Sequence, residues 1–187
     1  MNYETNPKKY LERTWIDPRL EIGDSKIQGK GVFTASPIKT GEIVMVFGGL
    51  PFTQKQLDDG EAKEHTALQI DDDLFLALPT GTPAEESRDE YTNHTCLYPS
   101  CWLTDDVTLI ARVDMQPGDE ITMDYGTWYY ELDEKGNGVG WITNCNCGSK
   151  GCRGQLTGTD WQRKDVQQAF KGHIAPFLQR KIDKHAE

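Results

Sequence analysis

The chain has no apolar run near the roughly 18 to 20 residues that a membrane span requires. Its first residues, MNYETNPKKYLERTW, contain no apolar stretch of the kind a secretory signal carries. A membrane role is therefore not expected. The thiols are expected to meet a reducing compartment where disulfides are rare, the cytosol or the nucleus, a host nucleus included for a bacterial or viral source. Cysteine is itself sparse: there are five, an odd count that cannot all pair. Positive charge is short as well, with 20 Lys and Arg against 30 Asp and Glu and a formal net charge of -10. Proteins that grip phosphate need basic surface to release counterions, so direct nucleic-acid binding is not expected and a basic protein or peptide is the better partner. Internal repeats and low-complexity tracts are also lacking. At 187 residues, 36% hydrophobic and 27% charged, the chain fits one soluble domain with appendages. Its oligomeric state is not legible.

What is present is mostly strand-like. From Leu20 to Phe52, the runs LEIG, KGVFTA and GEIVMVFGGLPF alternate apolar and polar residues between glycines, which predicts strands and turns. The polar stretch from about Thr53 to Arg88 holds one strand candidate, DLFLAL (73–78), and is expected to be an insertion between core strands. Acid collects in QLDDGEAKE (56–64), DDD (71–73) and PAEESRDE (83–90). Such clusters are first of all solvated loops and secondly a face for Lys/Arg-rich peptide. VTLIARVD (107–114) and DEITMDY (119–125), joined through Met115, Gln116, Pro117 and Gly118, predict a β-hairpin. From Thr159 the pattern turns helical, with Thr159 or Asp160 as cap and Trp161, Val166, Ala169 and Phe170 on one face. Gly172 and Pro176 are expected to divide that segment into two helices.

NCNCGSKGC (144–152) places Cys145, Cys147 and Cys152 in a C-x-C-x4-C pattern, with Gly148 and Gly151 supplying backbone freedom between them. Clustered thiols without a purpose invite oxidation, and structural zinc takes four tetrahedral ligands. Three are here. The remaining cysteines, Cys96 and Cys101, both lie in NHTCLYPSCW (93–102), so one of them is expected to complete the set. The chain must then bring that segment against the knuckle.

In order along the chain, GKGVF (29–33), NHTC (93–96), ARVDMQPGDEITMDYG (111–126) and CNCGSKGCRG (145–154) resemble the SET-domain protein-lysine methyltransferases that carry a post-SET zinc knuckle. The likeness covers roughly residues 20–156. It implies a mostly-β fold of several small sheets, with the NHTC and DYG segments passing one another in a knot-like crossing, followed by the knuckle and C-terminal helices. The expected organisation is an N-terminal extension (1–19), the SET domain (20–143, insert about 53–88), the post-SET zinc knuckle (144–156) and a C-terminal helical segment (157–187).

The resemblance implies methyl transfer from S-adenosylmethionine to a lysine of a basic protein, a histone tail among the candidates. It places Lys30, Gly31 and Val32 along the cofactor through their backbone, with Asn93 holding it by its side chain and His94 chiefly by its backbone. Leu156 and an aromatic such as Trp128 or Trp161 would close over the cofactor. The family's fourth zinc ligand is the cysteine of N-H-x-C, which selects Cys96 to join Cys145, Cys147 and Cys152 and leaves Cys101 a buried free thiol. Tyr125 would be the catalytic tyrosine, since attack on a sulfonium needs an aligned neutral amine rather than a strong base.

Four departures stand out. Glu90, Tyr91 and Thr92 replace the usual Arg-Phe-x before the asparagine. Leu97 and Tyr98 occupy a space where one residue is usual, with Ser100 in place of an asparagine. No cysteine-rich segment precedes the core, and Met123 stands where Phe or Tyr is frequent. The rival reading is a catalytically silent zinc module that binds basic tails. It would not need G-x-G, Asn93 and Tyr125 together, and all three are present.

Overall fold

The computed structural model describes residues 10–130, 140–142 and 144–185. Parts of the expected N-terminal extension, SET domain and C-terminal segment therefore lie outside the described residues. In chain order the strands are β1 (Trp15–Ile16), β2 (Leu20–Asp24), β3 (Lys30–Thr34), β4 (Ile43–Val46), β5 (Leu50–Phe52), β6 (Leu68–Asp71), β7 (Leu74–Ala77), β8 (Asn93–His94), β9 (Cys101–Leu103), β10 (Thr108–Ala111), β11 (Glu120–Met123), β12 (Gly140–Ile142) and β13 (Leu156–Thr157). The helices are α1 (Gln54–Asp58), α2 (Lys164–Ala169) and α3 (Pro176–His185). The strands form four small sheets, ordered β1-β4-β10-β9, β2-β3-β11-β8, β5-β7-β6 and β12-β13. Among the described residues no helix is long and apolar enough to cross a membrane.

The expected strands between Leu20 and Phe52 all form. β2 and β3 pair antiparallel from Leu20↔Thr34 to Asp24↔Lys30, across a turn in which Ser25 N–H donates to the Gly29 carbonyl and Gly29 takes φ +51°. Buried Val32, Val44 and Met45 join Leu103, Leu109 and Ile121 in one main core shared by the two four-stranded sheets.

The hairpin expected around Pro117-Gly118 does not form. The turn is there, closed by Asp119 N–H on the Gln116 carbonyl with Gly118 at φ +91°, but the flanking strands enter different sheets. Ile38 and Met115 exchange both backbone hydrogen bonds, and Thr34 N–H donates to the Asp119 carbonyl. β10 therefore pairs with β4 and β9, while β11 passes to β3 and β8. These longer-range partners satisfy the backbone groups that a hairpin would have paired.

Residues 53–88 contain more order than their polarity suggests. α1 is closed by a capping box between Thr53 and Gln56, and DLFLAL becomes β7. Its neighbour β6 has no alternation to reveal it, since Leu68, Gln69 and Ile70 are all buried and the Gln69 side chain accepts from Tyr130 N–H. At the C-terminus the helix does not begin at Thr159. Asp160–Gln162 form a 3-10 turn without a side-chain cap at Thr159, because the Asp160 carboxylate is engaged by Arg153 and Thr157. Trp161, Val166 and Phe170 are buried as their spacing predicts, whereas Ala169 is exposed. Gly172 (φ +83°) and Pro176 at the first position of α3 separate the two helices.

The pairing that builds the site is β8 with β11. It is parallel, with Thr122 opposite Asn93 and Met123 opposite His94, so the NHTC and DYG segments lie side by side although some thirty residues separate them.

Candidate active site and metal knuckle

Tyr125 follows β11 and opens a 3-10 turn, Tyr125–Thr127, whose N-cap is Asp124; the Asp124 carboxylate accepts from Gly126 N–H at 2.9 Å. The Tyr125 hydroxyl donates to the Thr92 carbonyl at 2.6 Å, one residue before β8. Its ring lies 5.2 Å from that of His94 and 5.4 Å, edge on, from Trp128. Burial holds the phenol above its ordinary range, so it stays neutral. With its hydrogen committed to Thr92, the oxygen can meet a bound amine only as an acceptor.

A cavity of about 520 Å³ runs past this hydroxyl. Its lining includes Gln28, Gly29, Lys30, Tyr91, Asn93 and Tyr125 together with Phe47, Leu68, Met123 and Trp128. That volume suits a nucleoside-sized ligand and is lined chiefly by apolar groups with a few polar ones. Of the expected cofactor residues, Lys30 and Asn93 line it. Gly31 and Val32 lie beneath, both buried, and a side chain on Gly31 would strike the Glu120 carboxylate at 2.4 Å. His94 and Leu156 are buried away from the lining, as is Trp161, whose indole N–H donates to the Gly158 carbonyl. Tyr98 is 61% exposed, and neither it nor Trp102 reaches the cavity beside Met123.

Two functional residues carried no sequence signal. Glu120 accepts from Asn93 Nδ2 (2.7 Å) and Ser25 Oγ (2.8 Å), while Asn93 Nδ2 also donates to the Lys30 carbonyl at 2.9 Å. That bond ties β8 to the first residue of β3 and fixes the amide in the cavity wall. Lys63, from the insertion, pairs with Glu90 at 3.2 Å and donates to buried Ser87 at 2.6 Å. The acid at the position where the family usually has arginine is therefore neutralised by a base from another segment, and Glu90 holds the Tyr91 phenol above its usual range by hydrogen bonding to it.

Some acids of the clusters are paired within the chain. Asp71 and Asp72 hold Arg180 and Lys181 of α3, Lys55 pairs with Asp59, and Arg13 with Glu86.

Cys96, Cys145 and Cys147 converge, and the fourth member of their group is His94 rather than Cys152. His94, Cys96, Cys145 and Cys147 place one ligating atom each within 4.8 Å of one another, and the Cys96 and Cys145 sulfurs are 3.8 Å apart. Cys152 is exposed; its thiol interacts with those of Cys145 and Cys147 and lies 3.5 Å from the Cys145 carbonyl. Cys101 sits apart in β9, fully buried, its thiol pushed up to about 12 by that burial. Burial also pushes the Cys145 thiol up, to about 11. At Cys147 burial works upward too but is outweighed by N–H groups of Cys96 and Ser149 and by the adjoining thiols, so the net direction is down. Amides also reach two other sulfurs, Arg153 N–H to Cys96 and Gly154 N–H to Cys152, each at 3.4 Å. N–H groups aimed at sulfur favour thiolate, the form a metal requires, and the donor set fits zinc.

His94 is the rival for the fourth ligand. Its Nδ1 accepts from Tyr125 N–H at 3.1 Å, which leaves the ring hydrogen on Nε2, 3.0 Å from the Cys96 sulfur. Burial lowers its pKa to about 4 and keeps the ring neutral. In that tautomer His94 donates to the sulfur.

Residues 29–126, more than half of the chain, match the SET domain family, and the chain belongs to it. It is similar to the histone H3-lysine(4) N-trimethyltransferase ATX1 of Arabidopsis thaliana, 24% identical over 175 residues, or 85% of this chain and 15% of that protein. It is similar too to the histone-lysine N-methyltransferase ATX2 of the same plant, 25% identical over 79% of this chain and 14% of the relative. The chain thus spans about a seventh of the length of these curated relatives. Among solved structures, that of Arabidopsis thaliana SUVH6 in complex with SAM superposes with a TM-score of 0.54 at 18% identity, covering 75% of this chain and 33% of that one. That likeness shows a shared fold.

Proposed function

We propose that the chain transfers methyl groups from S-adenosylmethionine to a lysine side chain of a basic protein such as a histone tail, acting in the nucleus where such tails are found. The observation that carries this reading is the neutral Tyr125 hydroxyl, anchored to Thr92 beside a cavity whose lining joins polar Asn93 and Lys30 to apolar Phe47, Met123 and Trp128. S-adenosylmethionine, when bound, supplies an electrophilic methyl group on a sulfonium. The backbone of Gln28–Lys30 and the Asn93 amide would hold it, with Gly31, Val32, His94 and Leu156 supporting that wall from behind. Phe47, Leu68 and Trp128 exclude water from the incoming lysine, which depresses its pKa and favours the neutral amine. Tyr125 accepts a hydrogen bond from that amine and fixes its line of approach.

Zinc would be held by Cys96, Cys145, Cys147 and Cys152, since the His94 hydrogen points at sulfur. It would cross-link the NHTC segment to the knuckle. Calorimetry tests the cofactor assignment: one S-adenosylmethionine per zinc-loaded chain is expected. Zinc without cofactor binding would favour a silent module for basic tails.

Two further outcomes follow from the cavity. Activity is expected to rise with pH toward the lysine's ordinary value of about 10.4, because neither Tyr125 nor His94 is available as a strong base. A rate flat from neutral to alkaline pH would contradict this. Met123 has no hydroxyl and yields volume readily to an added methyl, and Tyr98 and Trp102 are not in the cavity lining. Mass spectrometry after prolonged turnover is expected to find di- or trimethyl-lysine; a product that stops at one methyl would refute it.

A further inference from the structure

Four donors converge on the Asp124 carboxylate. Gly126 N–H donates to Oδ1 (2.9 Å) and Leu97 N–H to Oδ2 (2.8 Å), while the Arg153 guanidinium grips both oxygens, Nη2 to Oδ1 at 2.6 Å and Nη1 to Oδ2 at 2.8 Å. The Arg153 side chain is 2% exposed and that of Asp124 is 0% exposed. Arg153 immediately follows Cys152, and its own backbone N–H points at the Cys96 sulfur. Its remaining contact, Nε to Asp160 at 2.9 Å, leads away to the 3-10 turn before α2. Leu97, which with Tyr98 fills a space where one residue is usual, takes the left-handed φ of +60°, and a side chain on Gly151 would strike it at 2.8 Å. The knuckle, the NHTC loop and the turn that carries Tyr125 are thus pinned to one carboxylate.

We propose that Arg153 is a positioning residue through which the metal knuckle sets the place of Tyr125, by clamping Asp124, the N-cap of the tyrosine's turn. The clamp rests on the methyltransfer reading only for its kinetic consequence. A planar bidentate fork is what the geometry uses, and a lysine, a point charge with no such fork, cannot reproduce it. Cutting the pair leaves a buried carboxylate poorly satisfied, and the turn relaxes to find other donors. Asp160 shares the same guanidinium without touching Asp124; its Cβ packs beside Gly126, a contact that Asp160→Asn keeps, so that substitution provides the contrast.

The test uses the zinc-loaded full chain in five forms: wild type, Arg153→Lys, Asp124→Asn, their double, and Asp160→Asn. Arg153→Lys and Asp124→Asn are each expected to keep zinc and cofactor KM within about threefold and to lower kcat by at least about tenfold, the scale of a small misplacement of a reacting group. The double is expected to fall no further than the worse single, because both cut one contact. Asp160→Asn is expected to lower Tm while kcat stays within about twofold of wild type. Equal kcat losses in Asp160→Asn and Arg153→Lys, or losses that multiply in the double, would overturn the proposal. If wild type transfers no methyl group, the functional reading fails and the clamp is decided by NMR. The Tyr125 and Gly126 amide resonances are expected to shift in either single cut of the pair and to stay in Asp160→Asn; the reverse pattern would overturn it. Should Arg153→Lys not fold, Asp124→Asn carries both readouts.

Discussion

Tyr125→Phe is expected to bind S-adenosylmethionine almost as wild type does and to lose activity by about a hundredfold or more, the scale of removing one preorganised polar group from a transition state. The ring contacts with His94 and Trp128 need no hydroxyl, so the fold is retained. Stability falls by about 1 to 3 kcal/mol, since the Thr92 carbonyl loses its donor. The physical content of the prediction lies in that split: binding unchanged, chemistry lost. Steady-state rates with calorimetry on the same preparation check it, and wild-type turnover in the phenylalanine variant would remove Tyr125 from the mechanism.

The second large effect concerns the metal. Cys96→Ser is expected to abolish stoichiometric zinc, whereas Cys101→Ser keeps it. Cys96 lies among the knuckle sulfurs and receives N–H donors from His94 and Arg153, while Cys101 is buried in β9, outside that group. Zinc binding to such a knuckle is coupled to its folding, and here it would join the loop after β8 to residues 145–153, which already meet at the Cys96 sulfur. Without the metal that joint must be ordered at the expense of ligand binding, so cofactor and peptide affinities are expected to fall with the zinc. Elemental analysis beside calorimetry reads both. Full zinc in Cys96→Ser, or unchanged affinity in a zinc-free variant, would contradict the account.

Much of this site could be read from sequence because its parts are local. Cysteine spacing, the glycines at 29 and 31, the N-H-x-C run and the tyrosine after a Pro-Gly turn are each visible in a few residues. The strands from Leu20 to Phe52 were legible because half-buried strands alternate, and β6 was not, because Leu68, Gln69 and Ile70 are all buried. The hairpin at Pro117-Gly118 shows the limit of turn chemistry. The turn residues chose the turn, but the partners of Met115 and Asp119, Ile38 and Thr34, chose the sheets. Arg153, Glu120 and Lys63 were invisible for a related reason: a charged residue carries no mark of which distant carboxylate, amide or base it will meet. Gly31 carried a mark, but its approach to the Glu120 carboxylate did not show in the sequence.

The central claim is lysine methylation, and its most direct test is incubation of the zinc-loaded protein with methyl-labelled S-adenosylmethionine and core histones. Mass spectrometry is expected to place the label on lysine Nζ in wild type and in Cys101→Ser, and to find it all but absent with Tyr125→Phe. A wild-type protein that binds zinc and cofactor yet labels no lysine, in histones or in a whole lysate, would contradict the claim.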